Sequence, residues 1–296
     1  MSFFEDVAEQ LPASPILKWV GGKQRLIPSI VPKYISHGLL SKDQTYFEPF
    51  MGSGAIGFYC NFPNMVFGDK NEKLINFYRE VRDRTDKLHR KIQKCVDEYD
   101  ESENKEACYY RLRSEFNSVK PNGYNKIRWA ALFWVLNKTC FNGMYRETKS
   151  GHFNIPYGKR NSPRPKTANF KKIANILQTS QLIYDDFEGT CKTAKDGDLV
   201  YFDPPYLPLS ATSSFSTYLK DGFGGAEHEK LKTFIENLHS KNVKVVLSNS
   251  NSPVTKEIYG SMNGFTTKHI EARRLVSGKT IGRTMVKEVI ITNIVK

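Results

Sequence analysis

The chain has 296 residues, 39% of them hydrophobic and 25% charged, which suits one large α/β domain with a smaller inserted one. No apolar run approaches the length of a membrane span. The net charge of +13, from 44 Lys+Arg against 31 Asp+Glu, favours a polyanionic partner, most simply nucleic acid. Five scattered cysteines (Cys60, Cys95, Cys108, Cys140, Cys191) include no Cys-x-x-Cys pair, and the six histidines form no metal-like pair. Neither a disulfide frame nor a metal site is therefore expected. Met1 to Gln10 carries Glu5, Asp6 and Glu9 and no basic residue, so it does not read as a secretory signal, and a cytoplasmic location is expected.

In chain order, Val20-Gly21-Gly22-Lys23 reads as a glycine turn followed by a helix with Leu26, Ile27, Ile30 and Val31 on its apolar face. Thr45 to Phe50 reads as a strand, Met51-Gly52-Ser53-Gly54 as a second glycine turn, Ala55 to Cys60 as the opening of a helix, and Asn64 to Gly68 as a strand ending at Asp69. That order of strand, turn, helix, strand and acid is the skeleton of a nucleoside-binding βαβ unit. Helices are predicted over Glu72 to Asp100, Lys105 to Phe116 and Ile127 to Asn137, the last with Trp129, Leu132, Phe133 and Leu136 on one face. Arg146 to Ile155 reads as a β-hairpin turning at Lys149-Ser150-Gly151, and Phe170 to Gln178 as a helix. Leu182 to Tyr184, Leu199 to Phe202, Val243 to Ser248 and Val286 to Ile294 read as strands, with a helix over Ala226 to Ser240. The stretch from about residue 76 to 168 interrupts the alternating pattern, so the predicted domains are 1–75 with 169–296, and an inserted 76–168.

Chemistry concentrates at Asp203-Pro204-Pro205-Tyr206, directly after the Asp198 to Phe202 run. An exocyclic base amine is a poor nucleophile because its lone pair is delocalised into the ring. A carboxylate, a proline carbonyl and a stacking aromatic at the end of a strand would hold its hydrogens so that the lone pair can turn toward an electrophile. Asp-Pro-Pro is also an ordinary strand-ending turn, and its neighbours shift the balance. The Phe47-to-Gly54 turn could cradle the methionine end of S-adenosylmethionine, and Asp69 could accept from a ribose diol. Asp186 and Phe187, after Leu182-Ile183-Tyr184, would suit an adenine, although an acid there is equally a helix cap. Phe141-Asn142-Gly143-Met144-Tyr145-Arg146 and Phe153-Asn154-Ile155-Pro156-Tyr157-Gly158 interleave aromatic, amide and arginine as base readers do, although a hydrophobic hairpin core with solvated charges would carry the same pattern. The surrounding Lys138 to Lys172 holds nine basic residues against Glu147 alone, and Lys268 to Lys287 holds six against Glu271.

Four motifs in order, Lys18-Trp19-Val20-Gly21-Gly22-Lys23, Phe47-Glu48-Pro49-Phe50-Met51-Gly52-Ser53-Gly54, the Asn-Gly hairpin segment and Asp203-Pro204-Pro205-Tyr206, resemble the Dam-type DNA adenine-N6 methyltransferases of the α group. The resemblance runs from about residue 16 to the C-terminus and is close over Asp203 to Thr212 with Phe215. It implies a Rossmann-like methyltransferase sheet flanked by helices, with an inserted, mainly helical DNA-recognition domain carrying a β-hairpin. It implies S-adenosyl-L-methionine as cofactor, bound by Trp19, Lys23, Phe50, Gly52, Gly54, Asp69, Asp186, Phe187 and Asp203. It places Asp203, Pro204, Pro205 and Tyr206 in catalysis on a flipped adenine. Duplex DNA would be read or held by Lys18, Phe141, Asn142, Met144, Arg146, Asn154, Pro156, Lys159 and Arg160, with GATC as the expected site. Met144 stands where leucine is common in the family, and Lys159-Arg160 departs from its frequent Arg-Tyr. The expected state is a monomer, acting either alone or beside a separate cognate restriction endonuclease. The rival readings are a cytosine-N4 or RNA adenine methyltransferase, an inactive DNA-binding relative, and a protein-glutamine methyltransferase.

Overall fold

A computed structural model describes residues 12–118, 125–160, 164–207, 223–273 and 285–294. The reading of Met1 to Gln10, the family likeness over Pro208 to Thr212 and at Phe215, and Arg274, Lys279 and Arg283 lie outside them. Seven strands form one sheet in the order β3-β2-β1-β4-β5-β7-β6. These are β1 (Tyr46–Glu48), β2 (Met65–Asp69), β3 (Ser180–Tyr184), β4 (Leu199–Phe202), β5 (Lys244–Ser250), β6 (Thr266–Arg273) and β7 (Met285–Thr292). β1 pairs in parallel with β2 and β4, and β4 with β5, while β7 runs antiparallel to both β5 and β6. Among the described residues, no helix is long and apolar enough to cross a membrane.

The chain divides into two compact units. One comprises Met1–Gln24, Gly52–Asn61 and Asp69–Tyr184. It holds α2 (Ala55–Cys60), α3 (Glu72–Glu101), α4 (Lys105–Ser118), α5 (Asn125–Thr139), α6 (Thr167–Gln178) and β3. Asn71 starts α3 by accepting from the Leu74 N–H at 3.1 Å. α3 buries a helical stripe from Leu74 and Phe77 through Leu88 and Ile92 to Tyr99, with Glu80 buried as well and its other charged residues at the remaining positions. A kink at Arg84 falls where the Thr85 hydroxyl bonds back to the Val81 carbonyl, a contact that bends helices.

α5 differs from its prediction. It is buried from Trp129 to Asn137 without interruption, not along one face. It packs against α3 and α4, and its Trp134 indole donates to the Ile16 carbonyl at 3.1 Å, so three neighbours leave it no solvent side. The predicted hairpin is present as a turn with two isolated bridges, Glu147 to Phe153 and Cys140 to Tyr157. α4 sets its register: the Asn117 amide exchanges bonds with the Phe153 backbone (2.9 and 3.0 Å), and Tyr109 donates to the Ile155 carbonyl at 2.7 Å.

The other unit comprises Arg25–Met51, Phe62–Gly68 and Asp185–Lys296, with α1 (Ile27–Tyr34), α7 (Phe187–Thr190), α8 (Gly225–Ser240), α9 (Pro253–Tyr259) and β1, β4, β5, β6 and β7. β4 is buried on both faces, as expected of a central parallel strand written Leu-Val-Tyr-Phe. β1 is shorter than predicted because Pro49 has no N–H to continue a ladder. β6 and α9 carry no sequence prediction; β6 reads Thr-Thr-Lys-His-Ile-Glu-Ala-Arg, the polar composition of a strand at a sheet edge.

Candidate active site

Within the first unit, the glycine turn, Asp69 and the tryptophan turn converge. Gly52 has φ +46°, and a Cβ there would lie 2.6 Å from Cδ1 of Trp19, so the indole rests directly on the bare backbone. Gly54 has φ +66° and is covered as closely by Phe58. Asp69 accepts from the Gly52 N–H at 3.1 Å through Oδ2 and from the Asn71 N–H at 2.9 Å through Oδ1. Burial raises its pKa to about 6, against the lowering effect of those two N–H groups. Each carboxylate oxygen keeps lone-pair capacity beyond its backbone bond. Trp19 is stacked on Tyr145, with centroids 5.4 Å apart and 19° between planes. Lys23 is buried and turns back on its own loop, donating to the Gly21 carbonyl at 2.6 Å. An acceptor pair beside an aromatic wall and a side-chain-free turn fits a ribose and the chain attached to it.

Within the second unit, the Asp203 to Tyr206 turn leaves the end of β4 and is held at almost every residue. The Ser248 hydroxyl donates to Oδ1 of Asp203 at 3.0 Å and lies 3.1 Å from the Tyr201 hydroxyl. Pro204 is buried, and none of the described residues donates to its carbonyl. The Pro205 carbonyl accepts from Nε2 of His228 at 3.0 Å, and Nδ1 of His228 lies 2.7 Å from the Tyr259 hydroxyl. A carbonyl can only accept, so Nε2 carries the proton and Tyr259 donates to Nδ1. Burial lowers the His228 pKa to about 4, and the ring is neutral at physiological pH. Tyr206 donates to Oε2 of Glu288 at 2.6 Å, and burial together with the nearby Asp203 and Glu288 carboxylates keeps its hydroxyl protonated. Beyond it, the Ser250 hydroxyl donates to the Leu207 carbonyl at 2.8 Å.

Asp186 is the N-cap of α7: its Oδ1 accepts from the Glu188 and Gly189 N–H groups, both at 3.1 Å. Phe187 is buried and stacked on Phe50, with centroids 6.0 Å apart and planes at 29°, and Phe223 meets Phe50 edge-on at 5.3 Å. These residues share one aromatic cluster in the second unit.

The residues assigned to DNA lie around the hairpin of the first unit. The Phe141 N–H bonds the Pro156 carbonyl at 2.9 Å, and the Arg146 guanidinium bonds the Asn154 amide at 2.9 Å, so those four are brought together. Phe141 is 50% exposed, unusual for a phenylalanine, and Asn142, Arg146, Pro156, Lys159 and Arg160 are exposed as well; Met144 is half-buried. Lys18 is fixed by a two-way bond between its backbone and the Asn137 amide (2.8 and 2.7 Å). Its pKa is lowered by partial burial and then by the Arg160 charge. Sequence reasoning misses Ser248, His228, Glu288 and Tyr145. The polar run Ser248-Asn249-Ser250 closing an apolar strand is the one signal that could have exposed the first.

A profile of the D12 class N6 adenine-specific DNA methyltransferases matches residues 19–276. The chain is 35% identical over 281 residues to the type II methyltransferase M.MjaIII of Methanocaldococcus jannaschii, covering 91% of this chain and 94% of that one. It is 35% identical to the type II methyltransferase M1.LlaDCHI of Lactococcus lactis subsp. cremoris, covering 94% and 95%. It is 32% identical to the DNA adenine methylase of Serratia marcescens, covering 93% and 96%.

Proposed function

Because the chain belongs to the D12 class N6 adenine-specific DNA methyltransferases, we propose that it methylates N6 of the adenine in GATC, taking the base out of the duplex into the Asp203-Pro204-Pro205-Tyr206 turn. The observation that carries this reading is the state of that turn's acceptors. Asp203 is locked by Ser248, and the Pro204 carbonyl has no donor among the described residues. Two acceptors on one rigid turn can take the two hydrogens of an amine, and Tyr206 can stack on its ring. A base stacked in a duplex cannot reach such a turn, so it must flip.

S-adenosylmethionine, when bound, supplies a methyl group on a positively charged sulfur that needs no acid to leave. On our reading Asp69 holds its ribose, Trp19, Gly52 and Gly54 its amino-acid end, and Asp186, Phe187 and Phe50 its adenine, with Lys23 stiffening the tryptophan turn. Asp203 orients the target amine and can receive the proton the amine sheds on methylation. Lys18, Arg146, Asn154, Met144 and Pro156 read base edges, Phe141 and Asn142 act where the base leaves the stack, and Lys159 and Arg160 hold phosphates. Residues 76–168 then form the recognition part and the remainder the catalytic part. We propose further that the chain works as a monomer in the cytoplasm; relatives named type II methyltransferases are the reason to look for a separate restriction endonuclease beside it.

The test is transfer of labelled methyl from S-adenosylmethionine to two duplexes, one with a single GATC and one with that adenine replaced. Label in the first alone, recovered as N6-methyladenine, is expected. Label in both would remove GATC as the sole target. Label in neither, with DNA bound, would point to another recognition sequence or an inactive binder, and a long mixed-sequence DNA decides between those.

A further inference from the structure

Tyr145 has no base or phosphate assigned to it above, although it sits between Met144 and Arg146 on the hairpin arm. Its ring lies in the opposite sense to an exposed reader: it is stacked on Trp19, which in turn lies on Gly52. Its hydroxyl bonds the Glu147 carboxylate and is also within hydrogen-bonding reach of the Asn71 side chain. The Asn71 N–H is one of the two donors to Asp69. The same Glu147 oxygen, Oε1, accepts from Lys73 at 2.5 Å, and Lys73 also donates to the Gly151 carbonyl at the hairpin turn, at 3.1 Å. Physical contacts therefore run without a break from the hairpin turn through Lys73, Glu147 and Tyr145 to Trp19 and Asp69.

We propose that Tyr145 is a positioning residue that fixes Trp19 at the cofactor site and ties that site to the DNA-reading hairpin, so that duplex on the hairpin and cofactor on Trp19 and Asp69 strengthen each other's binding. The inference rests on the cofactor and DNA roles proposed above. Any hairpin movement that carries Tyr145 must move a ring stacked on Trp19, and the Lys73–Glu147 pair makes the arm and the start of α3 move together. Coupling of this kind is reciprocal by thermodynamic necessity.

The experiment measures S-adenosylhomocysteine binding by calorimetry, with and without the GATC duplex, and initial rates against S-adenosylmethionine, for wild type, Tyr145→Leu, Tyr145→Phe and Glu147→Gln. Wild type should bind S-adenosylhomocysteine several-fold more tightly when duplex is present. Tyr145→Leu should raise KM for S-adenosylmethionine roughly five- to tenfold, the scale of a lost aromatic stack, with a much smaller change in kcat. Tyr145→Phe, which keeps the ring, should restore that KM to within about twofold of wild type, a rescue that general loosening of the fold would not show. Glu147→Gln leaves every ring in place and should lower the enhancement by duplex; it also serves if Tyr145→Leu fails to fold. The proposal is overturned if wild type binds S-adenosylhomocysteine equally with and without duplex, or if Tyr145→Leu changes the KM for DNA alone. Absence of S-adenosylhomocysteine binding by wild type in both conditions would instead overturn the cofactor site itself.

Discussion

Replacing Ser248 by alanine isolates how much of the rate depends on holding Asp203 still. The deletion removes one hydroxyl that donates to Oδ1 of Asp203 at 3.0 Å and leaves the carboxylate itself in place. Hydrogen bonds to charged groups contribute about 1.5–3 kcal/mol. Asp203 makes further interactions, so the lower figure applies. About 1.5 kcal/mol, if spent only when the amine is gripped, is roughly a tenfold fall in the methyl-transfer step. The Tyr201 hydroxyl, fully buried, also loses its 3.1 Å neighbour, and stranding it should cost about 1–3 kcal/mol of stability. The assay is single-turnover transfer with enzyme in excess over duplex and saturating S-adenosylmethionine, well below the melting temperature of the variant. S-adenosylhomocysteine affinity should stay within about twofold of wild type, since Ser248 has no part in the proposed cofactor contacts. A transfer rate within about twofold of wild type would refute the view that Ser248 fixes the acceptor. So would a loss confined to the KM for S-adenosylmethionine.

Asp203→Ala should abolish turnover while S-adenosylhomocysteine binding survives in calorimetry; substantial residual methylation would remove Asp203 from its orienting role. Because Asp69 titrates near 6 and a diol donates to its charged form, S-adenosylhomocysteine affinity should fall as pH drops through about 6, and Asp69→Asn should flatten that profile while weakening binding at pH 8. His228 has its folded pKa depressed to about 4, below the value of an exposed imidazole, so the unfolded chain binds the extra proton and stability is lost as pH falls through the window from about 6.5 toward 4. Asp69 acts with the opposite sign over much of that window, so the contribution of His228 is read from the difference between wild type and His228→Gln in urea melts at pH 7 and pH 5. Tyr206→Phe strands the Glu288 carboxylate, which is only 7% exposed, and should cost about 2 kcal/mol in urea denaturation; Glu288→Gln, whose amide oxygen can still accept from Tyr206, should cost less.

What the sequence discloses about this site depends on how far apart the cooperating residues lie along the chain. Asp203 to Tyr206 stands out as a candidate because four adjacent residues carry acceptor, carbonyl and ring, and the strand that presents them is a plain apolar run. Asp69 is legible because a strand followed by an acid has a fixed geometry relative to the glycine turn one helix earlier. The groups that hold the Asp203 to Tyr206 turn obey no such local rule. Ser248 is 45 residues from Asp203, His228 is 23 from Pro205, and Glu288 is 82 from Tyr206. Glu288 faces the turn because β7 pairs antiparallel with β5 in a register that sets Glu288 opposite Ser250. A shift of one residue would send it to the other face of the sheet and offer Val289 or Lys287 in its place. Periodicity failed for α5 for a related reason: a helix enclosed by three neighbours has no polar face to mark its phase. Tyr145 shows the limit most clearly, since its neighbours Met144 and Arg146 suggest a base reader and only the stack on Trp19 reveals an inward ring. Local motifs thus nominate groups for the proposed chemistry, while strand register and helix packing choose the groups that hold those motifs in place. A search for the second kind must begin from sheet pairing, because no window of sequence contains both partners.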